Sequence, residues 1–98
     1  MAYNQAKMFF IEIMLLDYLD ELRKKKAIPL RLAFDISKSK ILVWAEINDD
    51  EEELEKRLIL AEALVNSKYY PHGFSINSTI IEKSDNLPIP SHYKTINK

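Results

Sequence analysis

The sequence predicts a single α+β domain whose elements follow the order α-β-β-α-β. Apolar residues recur at helical spacing over residues 5–26 and again over about 50–68, while residues 30–37 alternate between apolar and polar. A third extended segment, residues 73–83, follows the second helix. We expect a small antiparallel sheet with both helices on one face.

The first helix is predicted from an apolar stripe that ends before a proline. The helix should end before Ile28, because Pro29 disfavours helical geometry in the residue that precedes it. Acidic residues precede a basic run at the spacing of favourable helical ion pairs. The stripe consists of Met8, Ile11, Leu15, Tyr18, Leu19 and Leu22.

An alternative interpretation makes residues 8–16 a strand, because this run is rich in aromatic and branched side chains. The chain would then follow the ferredoxin-like order β-α-β-β-α-β. No Gly, Pro or Asn separates the run from the segment that follows, so strand and helix would join without a recognisable turn. The long helix is therefore favoured.

The next two strands are predicted to form a hairpin around the polar turn SKSK, residues 37–40. Residues 41–47 are more uniformly apolar than residues 30–37, which is typical of a central strand. We expect a right-handed crossover through the second helix to place the third strand beside the first. Residues 84–98 contain two prolines and little periodicity, so we expect an extended, partly loose tail on the single domain 1–98.

The second helix is predicted to begin with a capping box, because Asn48, Asp49 and Asp50 each precede a Glu by three residues. Its apolar stripe consists of Leu54, Leu58, Ala61 and Val65.

The stretch SKYYPHGFSIN, residues 67–77, is predicted to end this helix with a turn. Pro71 cannot extend the helix, and Gly73 most easily adopts a positive φ. The tyrosine rings should lie at the edge of the core with their hydroxyls in water. The alternative is a ligand-binding pocket, lined by Trp44, Tyr69, Tyr70 and His72.

Composition excludes several classes of function. With one glycine and no cysteine, the chain has none of the common glycine-rich nucleotide-binding motifs, thiolate metal sites or cysteine nucleophiles. A net charge of -1 argues against a nucleic-acid partner. The two histidines, His72 and His92, lie far apart in sequence, so we expect no metal site, no cofactor and no catalytic residue.

The apolar run at residues 8–16 also bears on location. It is much shorter than the roughly 20 residues that a membrane-spanning helix needs, and it contains Glu12. We expect no membrane association, and a chain without cysteine is compatible with the cytoplasm.

Surplus apolar surface on the first helix predicts self-association. Phe9, Phe10, Ile13 and Leu16 point away from the stripe, and one small sheet covers only one side of a helix. A symmetric partner is the commonest second cover. We therefore predict a small noncatalytic protein-interaction module that forms a homodimer through these four residues, with room for a further protein partner. The alternative function is a small-molecule-binding protein or an enzyme that uses the pocket described above.

Overall fold

The structure, a computed structural model, describes the backbone of residues 2–96 and the side chains of residues 7–96. In this part of the chain, two helices and four strands follow one another along the sequence. They are α1 (Ala2–Lys24), β1 (Arg31–Ser37), β2 (Lys40–Ile47), α2 (Glu52–Tyr69), β3 (Ser75–Glu82) and β4 (Lys94–Thr95). Short 3-10 helices at Tyr70–His72 and Lys83–Asp85 follow α2 and β3.

The strands form one open sheet in the order β3-β2-β1-β4. The β1–β2 hairpin and the β1–β4 pair are antiparallel, whereas β2 and β3 are parallel. The α+β class and the order of the five predicted elements are confirmed, but the sheet is mixed. Placing the third strand beside the first was wrong. The crossover through α2 returns the chain to the start of β2, so β3 runs parallel to β2 along its free edge.

Residues 8–16 lie within α1, so the ferredoxin-like alternative is excluded. The buried side of α1 consists of Ile11, Met14, Tyr18 and Leu22. Met8, which the predicted stripe included, is exposed, and Met14 takes a central place instead. The buried side is thus rotated slightly from the one that the spacing predicted.

The core lies between the helices and one face of the sheet. Alternate residues of β2 face it, and α2 contributes the three side chains Leu58, Ala61 and Val65 of its predicted stripe. Later residues of α1 approach earlier residues of α2, since Asp17 contacts Tyr69 while Glu21 and Leu64 line one cleft. The two helices therefore run antiparallel on the same side of the sheet.

The capping box predicted for α2 is wrong. Glu51 occupies the cap position and makes no side-chain cap hydrogen bond. Asp49 instead accepts a hydrogen bond from the Ser84 amide at 3.0 Å, and the Asp50 amide donates to Glu82 at 3.1 Å. These residues tie the start of α2 to the end of β3.

The C-terminal segment crosses the sheet face opposite the helices. Arg31 Nη2 donates to the Leu87 carbonyl at 3.1 Å, and His92 lies 3.7 Å from Asp35. Arg31 and Asp35 share this face, because side chains alternate along β1. Ala33 shares it too and is fully buried, so the segment covers the middle of β1. The C-terminal segment ends in β4, a strand that was not predicted from the sequence.

The free edge of β3 is covered by two side chains of α2. Asn66 accepts from the Ile76 amide at 2.8 Å and donates to the Ile76 carbonyl at 3.0 Å. One turn earlier, Glu62 accepts from the Ser78 amide at 2.6 Å. Backbone groups that an edge strand would leave open to another chain are thereby satisfied within the domain.

Candidate functional site

The outer face of α1 carries large apolar side chains in water. Phe9 is 62% exposed and Leu16 is 65% exposed, and Glu12 lies exposed between them. Phe9 and Leu16 are seven residues apart, about two helical turns, so they point to the same side. Ile11 and Tyr18 occupy the opposite, buried side. Two of the four residues predicted to form the interface are thus fully available to a partner.

The other two predicted interface residues, Phe10 and Ile13, are partly buried and pack against the core. The Phe10 ring lies between two others, with its centroid 5.4 Å from that of His72 and 5.3 Å from that of Phe74. This stack fixes the N-terminal half of α1 against the turn that precedes β3. Phe10 therefore packs inward against the fold and is less exposed than Phe9.

Exposed apolar residues also occur on α2. Leu60 and Leu64, one turn apart, are about half exposed, as is Met8 on α1. Leu64 also lines the cleft of about 220 Å³ between the helices. We call Met8, Phe9, Leu16, Leu60 and Leu64 together the helix-layer patch.

Sequence reasoning missed the α2 part of this patch. The signal was present in RLILAEAL, residues 57–64, where Leu60 and Leu64 fall outside the stripe of Leu58, Ala61 and Val65. A helix that packs on one side needs only one such stripe, so Leu60 and Leu64 are not needed to pack α2 into the core.

The turn after α2 has the predicted geometry. Gly73 has φ 85°, its amide donates to the Tyr70 carbonyl at 2.9 Å, and the Phe74 amide donates to the Tyr69 carbonyl at 3.2 Å. This pair of bonds is a Schellman motif, which satisfies carbonyls at the end of a helix. The positive φ predicted for Gly73 is confirmed, and His72 is an exposed residue of the turn.

The two adjacent tyrosines have different environments. Tyr70 is 59% exposed, whereas Tyr69 is only 5% exposed. Its hydroxyl donates to Asp17 Oδ2 at 2.5 Å, so the expectation that it lies in water was wrong. Burial raises the pKa of Tyr69 to about 12, and the hydrogen bond to the charged Asp17 adds to the shift.

Trp44 lies on the other face of the sheet. Val43 and Ala45 on either side of it belong to the core, so alternation directs Trp44 away from the helices. Its Nε1 is buried and has no hydrogen-bond partner among the described residues. The structure therefore does not bring Trp44 together with Tyr69, Tyr70 and His72, and ligand binding at these residues stays a prediction.

A second buried polar group lies between α1, α2 and β3. Neither the Tyr18 hydroxyl nor the Ser78 hydroxyl has a partner of normal hydrogen-bond geometry among the described residues. Burial raises the pKa of Tyr18 to about 12, the nearby Ser78 hydroxyl lowers it, and the charge of Glu62 raises it. Tyr18 is almost fully buried, while Ser78 and Glu62 are partly buried at the edge of β3.

The basic run at the end of α1 is paired within its own helix. Lys24 lies 3.2 Å from Asp20, and Lys25 donates to Glu21 at 2.8 Å. Hydrogen bonds from Arg23 and then Lys24 lower the pKa of Asp20, and the bond from Lys25 lowers that of Glu21. The ion pairs predicted at one-turn spacing are confirmed for these two carboxylates.

Within the described residues, no cluster of three or more His, Asp or Glu side chains is arranged to hold a metal ion. In the same part of the chain, neither helix is long and apolar enough to cross a membrane. No protein-family model, curated protein or solved structure matches this chain.

Proposed function

We propose that this chain is a noncatalytic interaction module that acts as a homodimer in the cytoplasm, joined through the helix-layer patch. The observation that carries the proposal is the exposure of Phe9 and Leu16 on one side of α1. Single exposed apolar residues are ordinary, but two large ones on the same side of one helix, with further exposed leucines on the adjoining helix, favour an interaction site. A fold that needs no disulfide is compatible with the cytoplasm.

The size of the patch favours a contact that uses both helices. Full burial of one leucine or phenylalanine contributes roughly 1.5–3 kcal/mol, while association costs on the order of 4–15 kcal/mol. Phe9 and Leu16 from two copies would contribute at most about 6–12 kcal/mol, which is comparable to that cost and leaves little surplus for a stable dimer. Leu60 and Leu64 supply further area on the same layer, which is why the dimer should include α2.

Charge favours an antiparallel arrangement of the two α1 helices. Residues 23–26 form a run of four cations at the end of α1, and the acidic partners found for them are Asp20 and Glu21. Parallel helices would bring two such runs together at one end of the dimer, where they would repel. An antiparallel pair separates the runs and places Phe9 of each copy against Leu16 of the other.

Sedimentation equilibrium at micromolar concentration tests the dimer. We expect twice the chain mass of 11.5 kDa for the natural sequence and a folded monomer for the double variant Phe9→Lys/Leu16→Lys. Leu87→Lys is the matched control, because Leu87 is exposed on the C-terminal segment and lies outside the patch. A natural chain that sediments as an 11.5 kDa monomer contradicts the proposal.

Disulfide formation between engineered cysteines tests the orientation, since the chain has no cysteine of its own. A mixture of Phe9→Cys and Leu16→Cys chains should give the mixed cross-link, because these positions meet in the antiparallel pair. Parallel helices would instead join each variant to itself. Self-linked products without the mixed product would leave the dimer intact and refute its orientation.

A further inference from the structure

An apolar groove lies at the C-terminal end of α1, beside the edge of the sheet. Its volume is about 470 Å³, which falls within the range of small-molecule sites. The floor and walls are apolar, and Arg23 is the one charged residue among those that line it. The apolar lining consists of Leu19, Leu22, Ala27, Ile28, Pro29, Leu32 and Ile96.

Hydrogen bonds on two sides hold the groove in shape. The Lys26 amide donates to Arg23 and the Ala27 amide to Leu22, at 3.1 and 2.8 Å, with Lys26 at φ 54°. This second Schellman motif turns the chain sharply and buries Ala27 against Leu22. Across the groove, the Ile96 amide donates to the Leu32 carbonyl at 2.8 Å. The walls are therefore formed before any ligand arrives.

Ile28 marks the open side of the groove. It is 64% exposed although it stands beside buried Ala27 and Pro29. An alkyl chain that lies in the groove would cover the Ile28 side chain. Removing this apolar surface from water would favour binding.

The rim is positively charged. Arg23 lines the groove, although it also pairs with Asp20 on α1. Lys26 directly precedes Ala27, which lines the groove, and completes the four-cation run that Asp20 and Glu21 balance only in part. Lys26 makes no ion pair with the described residues. A ligand that complements this site has an apolar chain for the groove and an anionic head for the rim.

We propose that the groove bounded by Leu22, Ile28, Pro29 and Ile96 binds a single-chain aliphatic carboxylate, with the carboxylate at Arg23 and Lys26. The site is separate from the helix-layer patch, so binding does not depend on the dimer.

Isothermal titration calorimetry of the full chain with dodecanoate, below its micelle concentration, tests this proposal. We expect one dodecanoate for each chain, with binding that weakens about fourfold for each buried methylene removed in decanoate and octanoate. Dodecyltrimethylammonium, which carries the same alkyl chain and the opposite charge, should bind at least tenfold more weakly.

Variants locate the site. Ile28→Asp should weaken dodecanoate binding at least tenfold, and Arg23→Gln should weaken it severalfold. Ile59→Asp is the matched control, because Ile59 is about half exposed on α2 and belongs neither to the groove nor to the helix-layer patch. Dodecanoate binding to this variant should be unchanged.

The proposal is overturned if dodecanoate fails to bind the natural chain, if the cationic amphiphile binds equally well, or if Ile59→Asp loses binding as Ile28→Asp does. Dodecanoate binding to a chain that sediments as a monomer would refute the dimer and leave the groove proposal standing.

Discussion

The Tyr69 hydroxyl donates a 2.5 Å hydrogen bond to Asp17 Oδ2 and so joins the last turn of α2 to the middle of α1. Lys68 Nζ lies 3.3 Å from the same carboxylate oxygen. The Asp17 carboxylate is partly shielded from water, which strengthens a bond to a charged acceptor. This contact fixes the relative position of the two helices beneath the helix-layer patch.

Replacing Tyr69 by Phe should lower the free energy of unfolding by about 1–2 kcal/mol, because Asp17 loses the closer of its two hydrogen-bond donors while the ring stays in place. Tyr70→Phe is the matched control, since Tyr70 is 59% exposed and should change stability by less than about 0.5 kcal/mol. Urea denaturation followed by circular dichroism measures both variants. Equal effects of the two substitutions would show that the Asp17 bond contributes nothing.

The two buried tyrosines should make stability fall at alkaline pH. The pKa of Tyr18 and that of Tyr69 are both raised to about 12 in the fold, against about 10 in the unfolded chain. Because the fold favours the neutral form of each tyrosine, the two groups stabilise the fold fully below pH 10. This contribution to stability is lost as pH rises from 10 to 12. Each tyrosine should account for about 1–3 kcal/mol of that loss.

Urea denaturation at pH 8, 10 and 11.5 tests the alkaline effect on the natural chain and on the double variant Tyr18→Phe/Tyr69→Phe. Both chains contain the same lysines, so the difference between their pH profiles isolates the tyrosines. The double variant should show a clearly shallower decline above pH 10. Parallel pH profiles would show that Tyr18 and Tyr69 do not cause the loss of stability at alkaline pH.

Gly73→Ala should lower the free energy of unfolding by on the order of 1 kcal/mol. A methyl group at Gly73 would meet nothing within 4 Å, so the loss comes from the backbone, which an alanine adopts poorly at φ 85°. His72→Ala should cost less, because it removes only an exposed ring that stacks on Phe10. Chemical denaturation of the pair decides, and a costlier His72 variant would refute the turn as the main role of this stretch.

Local patterns predicted the elements of this fold because their apolar residues repeat at the helix or strand period. The partners of those elements depend on contacts between distant residues, which no local pattern records. Phe10 meets His72 across about sixty positions, and nothing near Phe10 indicated that contact. The placement of β3 beside β2 was missed for the same reason.

The C-terminal segment also forms a contact between distant residues that no local pattern predicted. Lys94 and Thr95 form β4 through pairing with Ala33 and Phe34, although two residues are too few to show alternation. Prolines in the preceding residues also suggested an extended, partly loose tail. The exposure of Phe9 and Leu16 could be predicted, by contrast. The sequence of α1 has apolar residues on two sides of the helix, and the core covers only one of them.

Asn66 provides the last prediction, because its side chain forms hydrogen bonds with both backbone groups of Ile76 at the free edge of β3. Asn66→Ala leaves a buried amide and a buried carbonyl without partners, so it should lower the free energy of unfolding by about 2–4 kcal/mol. Asn77→Ala, at an exposed position of the same strand, should change stability by less than about 0.5 kcal/mol. Urea denaturation compares the two variants.

The same substitution should also promote aggregation, because it opens the edge of β3 to pairing with another chain. Leu58→Ala is the matched control: Leu58 is fully buried in the same helix, and its truncation costs a similar 2–5 kcal/mol without uncovering the edge. Light scattering at concentrations where both variants remain folded should rise faster for Asn66→Ala. If the two variants aggregate at the same rate for the same loss of stability, general unfolding explains the effect, and Asn66 does not protect the edge.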